Sequence, residues 1–248
     1  MAAGRCRVAT WVATAFLVAA CSAAAGTGTP TVPSTTTSPP TTQVVTTTTA
    51  TTTTLPPTTT TVPPPTRIVT EQAWTPFASV GGVVLQHPSS RVERIGYHES
   101  NNDGAQQLET LPTAVNPTTM ETRDRGTGSQ TAADVVVDPA LEIRAPVTGR
   151  VKRAGTYVLY CEYSDDYVVI EPDDHPGWEV KILHINGELV SKGERVTAGE
   201  TVLAPGPTQL PFESQVDELR TVDPAWPHVH IEVVDPSIPD RPTPGGCG

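Results

Sequence analysis

The 248-residue chain carries 27 acidic against 16 basic residues, a net charge of −11 with a pI near 4.9. Every acidic residue and all but Arg5 and Arg7 of the basic ones fall in Arg67–Gly248, which leaves that part of the chain at −13. Such a charge argues against nucleic acid and against an anionic membrane surface as partners.

The chain opens with Arg5 and Arg7, then the apolar run "VATWVATAFLVAA", then "VAAC" ending at Cys21. The apolar run is 13 residues long, too short to span a bilayer as a helix and suited to a targeting signal. Small residues ahead of a cysteine resemble the lipobox of bacterial lipoproteins. That resemblance implies cleavage before Cys21, acylation of its thiol and new amino group, and export to the outer face of the cytoplasmic membrane. Residues 1–20 are therefore expected to be a signal peptide and 21–66 a lipidated terminus and linker. Membrane contact is expected through the lipid alone.

From Thr27 to Thr66 the sequence holds 21 Thr and 9 Pro in 40 residues, with no charge. Such a segment cannot bury enough apolar surface to order itself. It reads as a semi-extended stalk, with a reach on the order of 100 Å if fully drawn out. Exported Thr/Pro tracts of this kind are substrates for O-glycosylation.

Residues 67–248 are long enough for one domain with a core. Short runs rich in β-branched residues follow one another: "VGGVVLQ", "VERIGYH", "ADVVV", "EIRA", "GRVKRA", "TYVLYCEY", "DYVVIEP", "WEVKILHI", "ETVLA" and "HVHIEVV". Pro, Gly, Asp and Asn clusters between them supply turns. No long run has the 3.6-residue apolar period of a helix, although "ESQVDELR" at Glu213–Arg220 fits two helical turns. The expectation is an all-β domain. Of the four cysteines, Cys6 leaves with the signal and Cys21 takes the lipid, so an oxidising compartment leaves Cys161 and Cys247 to pair. Closing so long a loop would stabilise the fold by about 4 to 5 kcal/mol in the chain-entropy view.

Among only six histidines, two stand one residue apart in "WPHVHIEVVDP". On a strand His228, His230 and Glu232 share one face while Val229, Ile231 and Val233 share the other. One face is apolar and the other can hold a metal. The remaining histidines carry less: His175 in "PDDHPGW" reads as an exposed hairpin loop, and His87 in "LQHPSS" as a loop position. "ESNNDG" at Glu99–Gly104 lacks an acidic twelfth residue, Thr110 standing there, and reads as a turn and not a calcium loop. Trp178 and Trp226 flank the H-x-H strand region in sequence and suit either core packing or stacking on a glycan or peptide.

Two further stretches, "IRAPVTGRVKRAG" and "ELVSKGERVTAGETVLAPG", have the form of small β-barrel halves, with glycines at the turns and spaced valines inward. They resemble both the biotinyl/lipoyl carrier domains with their adaptor relatives and the M23 (LytM or lysostaphin-like) zinc peptidases. A carrier needs an exposed Met-Lys turn, which this chain lacks, and has no use for "HVHIEV". The succession "DVVVDPALEIRAPVTGRV", "KILHING", "VSKGERVTAGETVL", "PHVHIEV" over residues 130–236 resembles the M23 domain, whose fold is a twisted antiparallel sheet of barrel-sandwich type. That resemblance implies a zinc site with Asp134 and His230 as ligands, and His184 and His228 as the residues that handle the proton. It also implies peptidoglycan stem peptides as substrate. The family's first ligand, four residues before the Asp, falls on Gln130, a poor zinc ligand. Two readings stay open. Either the site is degenerate and the domain binds wall peptides or switches on a partner hydrolase, or another residue, with His98 as the candidate, completes an active endopeptidase. A carrier- or adaptor-like structural domain is the third reading.

Mature protein is expected to begin at an acylated Cys21 and to sediment with membranes. Cys21→Ala should release it or leave the signal uncleaved, as read by fractionation and mass spectrometry of the N-terminal peptide.

Overall fold

The computed structural model describes residues 65–72 and 74–241. Cys21, the expected signal peptide, nearly all of the expected stalk and Cys247 lie outside the described residues, so lipidation and the Cys161–Cys247 pairing remain expectations. The elements in chain order are β1 (Thr70–Glu71), β2 (Pro76–Val80), β3 (Val83–Gln86), β4 (Arg91–His98), β5 (Glu109–Thr110), β6 (Pro117–Thr119) and β7 (Ala132–Val137). They continue with β8 (Ile143–Arg144), β9 (Gly149–Leu159), β10 (Tyr163–Pro172), β11 (Glu179–Ile185), β12 (Arg195–Val196), β13 (Val202–Ala204), a 3-10 turn at Gln215–Leu219 and β14 (His228–Val234). The domain is all-β, as its sequence pattern predicts.

Most strands join one sheet in the order β1-β4-β7-β14-β11-β10-β9-β12, antiparallel throughout, with β6 added parallel to β4. Two small sheets, β13-β8 and β3-β2-β5, complete the fold. Alternation along the central strands divides the large sheet into two faces. Ile95, Tyr97, Ala133, Val135, Val137, Val180, Ile182, Val229, Ile231 and Val233 point inward and pack with Phe77, Leu85, Ile143 and Leu203 from the small sheets. The other face carries Gly96, His98, Asp134, His228, His230 and Glu232, because β4, β7 and β14 pair Gly96 with Asp134 and Asp134 with His230. A one-residue slip of any of these strands would exchange the two faces, so burial of the core fixes the register of the polar face as well.

The barrel-like turns form as their glycines require. Gly149 opens β9 where a side chain would drive a Cβ to 2.1 Å from the Glu171 carbonyl oxygen. Gly193 and Gly199 take positive φ, +94° and +69°, around the buried Val196. One strand run divides differently from its sequence pattern. "TYVLYCEY" is not continuous: Tyr160 and Cys161 adopt φ of +52° and +61° and turn the long β9 back into β10. "ESQVDELR" makes the short 3-10 turn and no longer helix. Ser214 caps it, its hydroxyl and backbone N–H both donating to Asp217.

That turn covers one end of the polar face. Val216 packs there with Met120 and Val136, against Trp226 and Leu219. Gly96 lies directly beneath, and a Cβ on it would stand 2.9 Å from both the Met120 sulfur and a Val216 methyl. Gly96→Ala should therefore destabilise the domain by about 1–3 kcal/mol, the usual cost of overpacking. Urea denaturation monitored by tryptophan fluorescence would read it.

Candidate metal centre

Three strands deliver the site. β4 ends at His98, which pairs with Ala132, so its side chain leans diagonally toward Asp134 on the neighbouring β7. On the other side of β7, β14 sets His230 directly opposite Asp134 and His228 opposite Val136. The result is a buried carboxylate ringed by imidazoles. His98 Nε2 and His230 Nδ1 lie 3.1 and 2.9 Å from the same oxygen, Asp134 Oδ1, and His228 Nε2 lies 3.8 Å from Oδ2.

The hydrogen bonding of His98 constrains what this cluster can hold. Its Nδ1 is 2.9 Å from the Glu99 carbonyl oxygen, which can only accept, so Nδ1 carries the hydrogen. That leaves Nε2 with a lone pair, buried and without a hydrogen-bond donor, facing a carboxylate oxygen. Two acceptors at that separation repel each other unless a cation lies between them, either a proton on the ring or a metal ion. One ligand atom from each of His98, Asp134 and His230 comes within 4.8 Å of the other two. Two imidazole nitrogens and one carboxylate oxygen are a donor set suited to zinc, which in catalytic sites takes three protein ligands and keeps a fourth position open. Glu232 stands behind His230, 3.7 Å from its Nε2, and is itself held by Lys181 Nζ at 2.9 Å and by the Ser100 hydroxyl. A carboxylate behind a ligating histidine fixes the ring and raises its basicity.

The charges follow from this packing. Burial works against ionisation of Asp134, but His98 and His228, in their protonated forms, and the His230 hydrogen bond outweigh it and hold the carboxyl well below its usual range. Burial likewise opposes the charged form of His230, yet its hydrogen bonds to Asp134 and Glu232 raise its pKa to about 9. His228 lacks such partners. Burial dominates there and lowers its pKa to about 4.

His184 reaches the same cleft by a different device. Along β11, Leu183 and Lys181 already occupy the polar face, opposite His230 and Glu232, so strict alternation would turn His184 into the core. A bulge intervenes: the register against β10 shifts between Asp166 and Tyr167, and His184 adopts φ of +63°. Bulges re-aim side chains in this way. Asp165 holds the strained residue from both ends, accepting from its Nδ1 at 2.7 Å and from its backbone N–H at 3.2 Å. Tyr157 donates to the same carboxylate oxygen at 2.7 Å. With Nδ1 committed as donor, Nε2 is the ring nitrogen left with a lone pair. The His184 and His228 rings meet edge to face with centroids 5.0 Å apart.

Of the residues singled out in the sequence, His98, Asp134, His184, His228 and His230 all line one open cleft of about 540 Å³. Gln130 does not join them. It precedes β7, and its amide nitrogen donates to the Thr119 hydroxyl at 2.7 Å. His87 is a loop position between β3 and β4, as read, but its ring is fully buried against Phe77, with Nδ1 2.6 Å from the Thr75 carbonyl oxygen. His175 stacks on Trp178 at a centroid distance of 3.6 Å, away from the cleft, and Trp226 packs with the 3-10 turn. "ESNNDG" is a turn built on Ser100 and Asn102. Asp165, Tyr157 and Glu232 complete the site's support, and of these only Glu232 is signalled in the sequence, through its place in the alternation.

No family model matches the chain, and no curated protein matches it. Among solved structures it is similar to a zinc containing peptidase from Vibrio cholerae, at 17% identity over 63% of this chain and 41% of that one, with a TM-score of 0.30. The chain spans about two-fifths of that peptidase's length. The site therefore stands on its own residues.

Two measurements test the ligand set. His98→Ala should abolish stoichiometric zinc retention through dialysis, whereas Gln130→Ala should leave it intact. Because His230 in the metal-free protein holds a proton up to about pH 9, binding should release about one proton near pH 7. Apparent affinity should then rise as pH climbs from 6 toward 9 and flatten above it, as read by calorimetry in buffers of different ionisation enthalpy.

Proposed function

We propose that the domain is a zinc-dependent peptide hydrolase of the M23 kind, acting on peptidoglycan stem peptides from a lipid anchor at the outer face of the cytoplasmic membrane. The observation that carries the proposal is the convergence of His98, Asp134 and His230 on one point, with His184 and His228 beside it. The degenerate, binding-only reading rests on Gln130 standing where the family has its ligand. His98 offers the missing imidazole from the adjacent strand, which favours the active reading. A carrier- or adaptor-like domain leaves the whole cluster without a purpose. The exported Thr/Pro stalk supports the cell-wall assignment, since a tether lets the domain search a thick polymer while the lipid retains it.

Zinc held by these residues supplies Lewis acidity, which acidifies the attacking water and polarises the scissile carbonyl. Every other task falls to the chain. His184 is the proton carrier: Asp165 fixes the tautomer that leaves Nε2 with its lone pair and provides a counter-charge when the ring takes a proton, the logic of a histidine–aspartate pair. That proton can then be passed to the departing amine. His228, kept neutral by burial, orients the water and the reacting carbonyl without placing a second positive charge beside the metal ligands. Glu232 and Asp134 hold His230 in place.

Purified protein loaded with zinc should release soluble peptides from isolated cell walls. His184→Ala and His228→Ala should keep stoichiometric zinc but lose about 10²–10⁴-fold in kcat, the range for removing a positioned acid or base. His98→Ala should lose both properties. Wild-type protein that retains zinc yet releases nothing would turn the assignment to a wall-peptide binder.

A further inference from the structure

The cleft is not electrically uniform. The segment after β6 folds over its rim and is built on one carboxylate, that of Glu99. Glu99 accepts from the Thr122 hydroxyl at 2.6 Å and from the backbone N–H groups of Arg123 and Arg125, both at 3.0 Å. Asp124 between them takes φ of +56°. The turn thereby sends two guanidinium groups, those of Arg123 and Arg125, to the wall of the cleft. Arg125 is anchored by one donation from Nη1 to the Glu99 carbonyl oxygen at 2.7 Å, and the rest of its fork is uncommitted.

Most of the domain's cations are spent on carboxylates, as Arg153 is on Glu179 and Arg195 on Asp173. Among the described residues neither Arg123 nor Arg125 has a carboxylate within salt-bridge distance. The acids that share their cleft form their close contacts with other groups, Asp134 with His98 and His230. Glu232 is paired with Lys181, Glu213 with Arg220, and Asp240 accepts from the Asp103 backbone N–H and the Asn102 amide. In a chain of net charge −11, these two adjacent cations at the mouth of the cleft repel each other, and the carboxylates of Glu99 and Asp134 attract Arg125 only from beyond salt-bridge distance. Their geometry suits a planar anion, because the guanidinium fork matches a carboxylate with two parallel hydrogen bonds. The same cleft also carries an aromatic pair. Tyr160 and Phe212 meet edge to face at 5.4 Å, and Tyr160 is 65% exposed.

We propose that Arg123 and Arg125 form a subsite for a carboxylate of the bound peptide, so that the cleft selects acidic peptides, with the Tyr160–Phe212 pair packing on the chain beside it. Selection of a substrate, as distinct from a ligand, rests on the hydrolase reading above. The long-range field of the protein repels such a peptide, but it is screened beyond about 8–10 Å at ordinary ionic strength. Inside that range the two guanidinium groups decide the sign.

The test is equilibrium binding by the purified protein of a synthetic pentapeptide containing one glutamate, against its glutamine analogue, in the presence of a chelator so that no turnover intervenes. The glutamate peptide should bind at least about 10-fold more tightly at low salt, the value of a charge-assisted bidentate pair. That preference should shrink as salt is raised and vanish in the Arg123→Gln, Arg125→Gln double variant, while Arg125→Lys should keep part of it through charge alone. Equal affinity for the two peptides, no measurable binding of either, or a preference untouched by the double variant would each overturn the subsite. Hydrolysis of the same peptides by zinc-loaded protein is scored separately. Cleavage of both with no binding preference removes the subsite and leaves the hydrolase, whereas preference without cleavage does the reverse.

Discussion

The buried carboxylate of Asp134 is the constraint on which the domain's polar face depends. It sits 5% exposed on a central strand, where an ionised acid without partners would cost several kcal/mol. Two imidazoles, His98 from β4 and His230 from β14, answer that cost, and each is placed by backbone pairing with β7. The site and the core are thus two faces of one register. The valines and isoleucines that bury the inner face cannot shift without carrying Asp134, His98 and His230 to the wrong side. Site geometry is consequently protected by the full apolar energy of the core, not by the few contacts within the site.

His184 is the exception that tests this account. Alternation alone would bury its ring, and its position is bought with a bulge and a positive φ that a β-carbon disfavours. Strain of this kind persists only where the surroundings over-determine it. Asp165 supplies that determination by bonding both the backbone and the ring of the same residue. The carboxylate is itself buried and in contact with Tyr157, so the histidine, the acid and the tyrosine form a unit that a change at any one of them loosens.

What was legible in the sequence divides along physical lines. Strand alternation is local, and it placed His228, His230 and Glu232 on one face and the valines on the other. The all-β architecture followed from the same pattern with its turn residues. Ligand completion was not local. Residues four apart on an extended strand lie about 13 Å from each other, so Gln130 could approach Asp134 only if the chain folded back. A residue on the adjacent strand needs no such fold, since paired strands run about 4.8 Å apart. His98 satisfies this, but its pairing with Ala132 joins segments far apart in the chain, and nothing in either segment announces the register. Asp165 was hidden for a related reason: its role exists only because a bulge turns His184 around, and a bulge leaves no mark in a run such as "DDYVVIEP". His87 is a loop position between β3 and β4, as the proline after it suggests, but burial of its ring, through a hydrogen bond to the Thr75 carbonyl, left no local mark.

Two histidines one residue apart on the same face of the same strand end with opposite charge behaviour, and the cause is which carboxylates each ring touches. Both are buried, so desolvation penalises the cation in each. His230 contacts Asp134 and Glu232 and is driven toward about 9, while His228 reaches only the far edge of Asp134 and falls toward about 4. The sheet thereby offers, at neutral pH, one ring whose proton a metal would have to displace and another that already accepts hydrogen bonds. Environments that push neighbouring titratable groups apart are how one scaffold assigns different tasks to identical side chains. Here His228 is left neutral beside a carboxylate it does not quite reach, while His230 is held by two, an asymmetry that suits the roles proposed for them.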